Sequence, residues 1–400
     1  MENQNVDPQN FNFWLKKGEE LQKQEKFSES LTAYRNATEF NPQNSQIWSE
    51  IGFVLGELDR RAEALAAYDH AIELDPASAP AVHNKAFYYE WFGLDDKDTE
   101  QAITLYRKAL ELDPNLGPSW KQIAFLLLET QRYEESLEAF IHTISLTEND
   151  PDLSEGDFAE FWDGKAKTLH ELQRYSEAEQ AFSRAMSLDE DFFDEDSFYA
   201  WGDVFFHLDK IEDALRIFSH GTQKFPDEAG LWKNLAAFFD MLDRDEEAIE
   251  AISHAINLDE ESFEFRHAQG CFFHKTGRNA EALASFQQAA AIDGEDPDLW
   301  YRIGHIHSEQ NQLKDALDAF CNATKLHPEE ASYWNSQGAM LAEMDRTEEA
   351  LLAFGRAITE SPSKAEYWEN KGLALATLGR KEESDQAYKR ADELRRDQSK

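Results

Sequence analysis

The chain has 400 residues, 41% of them apolar and 12% aromatic, and a formal net charge of -41 from 80 acidic against 39 basic side chains. That apolar share can bury a core and excludes compositional disorder, while the charge repels phosphate backbones and anionic lipid surfaces and so argues against nucleic acid and membranes as partners. The longest apolar run, Ile123 to Leu128, is far below the ~20 residues of a membrane span. The start MENQNVDPQNFNFW lacks a basic segment followed by an apolar one, and Cys271 and Cys321 make no disulfide or paired zinc pattern, so a cytoplasmic, reducing setting is expected.

Residues 1–10 read as an N-terminal tail. From Phe11 a 34-residue pattern sets in, with units beginning at Phe11, Ser45, Ala79, Gly117, Ala159, Glu195, Ala229, Phe263, Pro297, Ala331 and Ala365. The eighth position of each unit is small, from Gly18 and Gly52 through Ala124 to Gly338 and Gly372, and so is the twentieth, from Ser30 to Ser384. Four residues beyond the twentieth stands an aromatic or Ile, such as Tyr34, Phe140, Ile252 or Phe354. Apolar residues at helical spacing on either side of a polar break predict two antiparallel helices per unit. Small residues allow those helices to cross closely, and the neighbouring aromatic fills the groove. Pro42, Pro76, Pro114, Pro226, Pro328 and Pro362 end the second helices.

The third unit carries an insertion around Asp95 to Asp98, and residues 151–158 read as a linker dividing units 1–4 (11–150) from units 5–11 (159–400). The last helix is polar outside a stripe of Ala387, Tyr388, Ala391 and Leu394, so it can close the stack as its own cap. One hairpin cannot bury its own apolar face, so neighbours must stack.

Period and position pattern together resemble the tetratricopeptide repeat (TPR), over essentially the whole chain from Phe11. The resemblance implies an all-α fold, an α-solenoid of about eleven helix-turn-helix units in a right-handed superhelix. Val82, Phe198 and Arg266 depart from it where the fourth position is usually Trp.

No phosphate loop, nucleophile elbow or metalloprotease spacing is present, and no segment remains for a catalytic domain, so no enzyme and no cofactor is expected. Asp189 to Asp196 looks like a calcium loop, but Asp194 stands where Gly is needed, which makes it a solvated turn. His267, Cys271 and His274 share one helical face, and His305 takes the place of Cys271 one unit on. They are candidate metal ligands for an alternative, metal-binding reading, although such residues more often simply line a groove.

In the resembled family the first helices line a concave surface through positions two, five, nine, twelve and thirteen. Carried across, units 2–4 present Phe53, His83, Phe87, Trp91, Phe125 and Leu128. Units 5–7 present an acidic zone, including Glu160, Asp163, Glu171, Asp196, Tyr199, Asp203, Phe206 and Asp240, offset by Lys167 and Lys233. Unit 9 adds Tyr301. Acidic excess concentrates here, with 32 acidic and 9 basic residues between Glu148 and Glu264. The family's clamp for chaperone C-termini is missing, since Lys121 is accompanied by Phe125 and Lys233 by Ala237. The expectation is a monomeric protein-interaction scaffold whose groove holds a protein or peptide with basic residues and apolar anchors. A further alternative is a chaperone or mimic that engages a basic protein through its acidic outer surface.

Overall fold

A computed structural model describes residues 11–148 and 153–398; the expected tail at 1–10 and residues 151–152 of the expected linker lie outside the described residues. Among the described residues there are 22 helices and no strand. Two compact units divide between Lys210 and Ile211. The first holds α1 (Phe11–Lys23), α2 (Phe27–Phe40), α3 (Ser45–Glu57), α4 (Arg61–Leu74), α5 (Ala79–Phe92), α6 (Asp96–Leu112), α7 (Gly117–Glu129), α8 (Tyr133–Thr147), α9 (Glu155–Glu171), α10 (Tyr175–Leu188) and α11 (Glu195–His207). The second holds α12 (Ile211–Lys224), α13 (Ala229–Met241), α14 (Asp245–Leu258), α15 (Phe263–Lys275), α16 (Asn279–Ile292), α17 (Pro297–Glu309), α18 (Leu313–Leu326), α19 (Ala331–Glu343), α20 (Thr347–Glu360), α21 (Ala365–Thr377) and α22 (Lys381–Gln398). Within each unit the helices pack in chain order, each against the one before and the one after, which is the arrangement of a helical repeat solenoid.

Ten of the eleven repeats open at the residue the sequence pattern marks, and the fifth opens at Glu155 instead of Ala159. Ser154 causes the difference: its hydroxyl accepts from the Asp157 N–H while the Asp157 carboxylate accepts from the Ser154 N–H, a capping box that starts α9 inside the expected linker. The insertion in the third repeat also has a structural task. It lengthens α6, and it delivers Asp98, 9% exposed, to the guanidinium of Arg61 in α4 at 2.7 Å and to the Leu94 N–H at 2.7 Å.

The small residues sit where the pattern requires closeness. A Cβ added at Gly18 would lie 2.5 Å from the Tyr34 ring, and one at Gly338 would lie 2.7 Å from Phe354, so the eighth position meets the aromatic of its own second helix. Where the twentieth position is Ser its hydroxyl donates to the carbonyl of the eighth: Ser30 to Gly18 at 2.9 Å, Ser136 to Ala124 at 2.8 Å and Ser384 to Gly372 at 2.8 Å. The repeated Trp has a polar reason as well. In six repeats its indole N–H donates to the carbonyl six residues earlier, as Trp48 does to Pro42 at 3.0 Å and Trp334 to Pro328 at 2.7 Å, so these Trp side chains tie a first helix to the turn that precedes it.

The turn inside most repeats passes through one left-handed residue, Asp59, Asp243 and Asp345 in three cases and Gly277 and Gly379, at φ +74 and +73, in two. An Arg follows in seven repeats and pairs with the Glu three residues on, for example Arg346 with Glu349. Much of the surface charge is thus neutralised locally. On α22, Ala387, Ala391 and Leu394 are buried while Tyr388 remains 37% exposed. No helix among the described residues is long and apolar enough to cross a membrane.

Candidate functional site

Two concavities of the first unit are lined largely by successive first helices. One, of about 370 Å³, is lined from α3, α5 and α7, with Phe53 and Phe87 as its apolar walls and Ser49, His83, Asn84 and Gln122 among its polar groups. The next, of about 540 Å³, is lined from α7, α8, α9 and α11, where Leu128, Tyr133 and Tyr199 stand among Glu129, Glu171, Asp196 and Asp203. Two of the three zones expected from the sequence therefore coincide with real pockets. The individual residues divide more sharply than the zones do.

Trp91 is 70% exposed and stacks on Phe87, with ring centroids 6.0 Å apart and an interplanar angle of 12°. Phe125 instead is half-buried: it packs edge-on against the buried Phe140 at 4.9 Å, close to Gly164 and against the core around α7. The two aromatics of this zone thus differ, Trp91 being exposed and Phe125 half-buried. Phe206 is 44% exposed and does not line the central pocket.

The acids of the central zone are not equivalent. Asp163 is only 4% exposed; one carboxylate oxygen meets Lys167 Nζ at 2.9 Å, and the other has no hydrogen-bond partner among the described residues. Burial pushes its carboxyl above the usual range, opposed by the Lys167 ammonium. Burial alone would depress Lys167, but Asp163 and Asp194, the latter at 3.0 Å, outweigh it and hold the ammonium charged. Asp194 also accepts from the Ser197 N–H at 2.8 Å, so the apparent calcium loop is a helix cap. Asp203 is engaged by His170 Nε2 at 2.7 Å and faces His207 Nε2 at 3.4 Å. Every basic group that lines the pocket is thus already matched to a carboxylate. Glu129 and Asp196 are different: both line the pocket, and neither joins an ion pair or hydrogen bond with a described residue.

In the second unit Asp240 is taken by Lys275 at 2.9 Å, which also holds Asp243 at 3.0 Å and Asp245 at 2.8 Å. Tyr301 packs against His305 at 4.4 Å, Tyr333 at 4.8 Å and Phe320 at 5.7 Å. The metal candidates do not converge. His267 and His305 lie against Phe286 and Phe320, at 5.6 and 5.4 Å, and burial lowers the pKa of both. His274 turns to Asn279 at 3.2 Å, and burial pushes the Cys271 thiol up. Among the described residues no three His, Cys, Asp or Glu side chains could hold a metal ion together. Sharing a helical face was not enough, because each of these side chains meets a different neighbour.

Sequence reasoning passed over Tyr133, Glu129, Ser49, Asn84 and Gln122. Glu129 and Ser49 stand at positions thirteen and five, so the positional rule could have found them; Tyr133 opens a second helix, and Asn84 and Gln122 occupy position six, outside that rule.

Family models described as Tetratricopeptide repeat match residues 15–79 and 341–399, residues 93–116 and 159–192, and residues 273–340. The comparison with curated proteins gives no match. Among solved structures, the chain is similar to Naa15/Naa10 bound to HypK-THB, at 13% identity and a TM-score of 0.44 over 94% of this chain and 67% of that one. It is also similar to YrrB, a TPR protein with an unusual peptide-binding site, at 22% identity and a TM-score of 0.41 over 45% and 93% of the two chains. MamA 41-end from Desulfovibrio magneticus RS-1 aligns at 18% identity and a TM-score of 0.41, over 43% of this chain and 97% of that one.

Proposed function

The chain belongs to the tetratricopeptide repeat family, and from that premise we propose that it is a non-enzymatic interaction scaffold whose first compact unit holds a segment of a partner protein. The observation that carries the reading is the pair Glu129 and Asp196, two unpaired carboxylates in a pocket whose own cations are already matched. A lysine or arginine of the partner supplies the missing countercharge, and Tyr133 and Tyr199 offer ring faces to the same cation. Trp91 and Phe87, stacked and accessible from outside, provide the apolar anchor. Asp163 and Asp203 contribute to the field that draws a basic segment in, since charge steers encounter even where a carboxylate is already bonded. In this reading the chain acts as a monomer in the cytoplasm.

The test is affinity capture from the source cell with the parent chain and with a Glu129→Lys, Asp196→Lys variant. Proteins retained by the parent and lost with the variant, at unchanged helix content, support the reading. An identical set retained by both removes the central pocket from the site.

A further inference from the structure

The pocket between α3, α5 and α7 differs from the central one in the groups it leaves without a partner. Lys121 is tied to Glu160 at 2.7 Å. Burial pushes the Glu50 carboxyl up, against the hydrogen bond from Gln22. Burial pulls His83 down to about 4, so its imidazole is neutral at physiological pH, and its Nδ1 lies 2.8 Å from Ser119 Oγ. Beside two phenyl walls the pocket therefore offers the hydroxyl of Ser49 and the carboxamides of Asn84 and Gln122, with the Glu50 carboxyl also in its lining.

Ser49 singles out the ligand. It lines the pocket at 3% exposure, and its Oγ has no hydrogen-bond partner among the described residues. A buried hydroxyl left unpaired is a cost that alanine at the same helical position would not carry. The carboxamides of Asn84 and Gln122, in the same lining, make no hydrogen bond with a described residue either. We propose that this pocket is a subsite for a tyrosine side chain of the bound segment, its ring against Phe53 and Phe87 and its phenolic hydroxyl on Ser49 Oγ. The proposal rests on the reading that the first unit's groove holds a partner segment.

Ring walls favour an aromatic side chain. A phenol both donates and accepts, which suits a serine hydroxyl and two carboxamides at once. Phenylalanine fills the same volume but leaves Ser49 unpaired, and a site built around a hydrogen bond discriminates strongly against the analogue that lacks it. Phosphorylation of the tyrosine introduces a dianion where the one nearby ammonium is already occupied by Glu160, so this subsite reads the unmodified residue.

The full chain is titrated with N-acetyl-tyrosinamide, N-acetyl-phenylalaninamide and the phosphotyrosine analogue, with binding followed by ligand-observed NMR. The tyrosine compound should bind at least about tenfold tighter than the phenylalanine compound, and the phosphorylated one should show no saturable binding. Ser49→Ala should erase the tyrosine preference while leaving the melting temperature unchanged or raised, since the variant removes an unpaired hydroxyl. Glu129→Gln with Asp196→Asn should leave the tyrosine compound's affinity intact, which separates this result from the fate of the cation pocket. Equal binding of tyrosine and phenylalanine compounds overturns the proposal. So does a preference that survives Ser49→Ala, or a Ser49→Ala chain that melts lower than the parent.

Discussion

Two neighbouring pockets of one repeat array, built from homologous helix positions, leave different groups without a partner. Between α7, α9 and α11 the groups stay charged: Lys167 is held between Asp163 and Asp194, Asp203 meets His170, and Glu129 and Asp196 are left over. Between α3, α5 and α7 the one ammonium is paired with Glu160, His83 is neutral with its pKa at about 4, and Ser49 is unpaired. A net charge of -41 describes neither pocket. What a groove offers a partner is set by which charges remain uncompensated after its own side chains have paired.

The comparison breaks most visibly if Lys167 is removed. Lys167→Ala strands the Asp163 carboxylate in the interior, and losing one member of a buried pair costs about 3 to 5 kcal/mol. Urea titration should show that loss, and Asp163→Asn combined with Lys167→Met should recover most of it. Next comes the divided aromatic pair. Phe125→Ala should cost roughly 2 to 3 kcal/mol, because the ring fills space beside Phe140, whereas Trp91→Ala should leave thermal stability within error and weaken partner binding alone.

A smaller effect sharpens the neutral side of the comparison. The folded-state pKa of His83, about 4, lies below the ordinary value near 6.5, so the unfolded chain takes up the proton first. The stability contributed by the neutral imidazole is complete above about pH 6.5 and is lost as pH falls from there to about 4, an effect on the order of 2 kcal/mol for this half-buried ring. The difference in unfolding free energy between parent and His83→Gln, measured from pH 7 to pH 4, should follow that curve. The smallest effect is expected from the exposed Arg–Glu pairs. Glu349 sits well below the usual carboxylate range because of its hydrogen bonds with Arg346, yet Glu349→Gln should scarcely move the melting temperature, since solvent screens such pairs.

The sequence made the helices legible because their spacing repeats: ten first helices open where the period places them, and α9 departs only through the local Ser154–Asp157 cap. The pockets were half legible. Positions two, five, nine, twelve and thirteen led to Phe53, Phe87, Asp196, Tyr199 and Asp203, all of which do line pockets. Pairing was not legible, because it joins residues in different repeats: Lys167 finds Asp194 27 residues on, and His170 finds Asp203 33 residues on. The same limit applied to Cys271 and the three histidines, whose shared spacing said nothing about the phenylalanines packed against them.

The central claim is that Glu129 and Asp196 are the uncompensated charges that hold a basic partner segment. Its most direct test is the affinity of the captured partner for the parent chain and for Glu129→Gln with Asp196→Asn, measured by calorimetry from 0.05 to 0.5 M salt, roughly the range over which the Debye length falls from above to below 10 Å. The account predicts a loss of about tenfold at low salt and a shallower salt dependence for the variant. Superimposable curves for the two chains would contradict it.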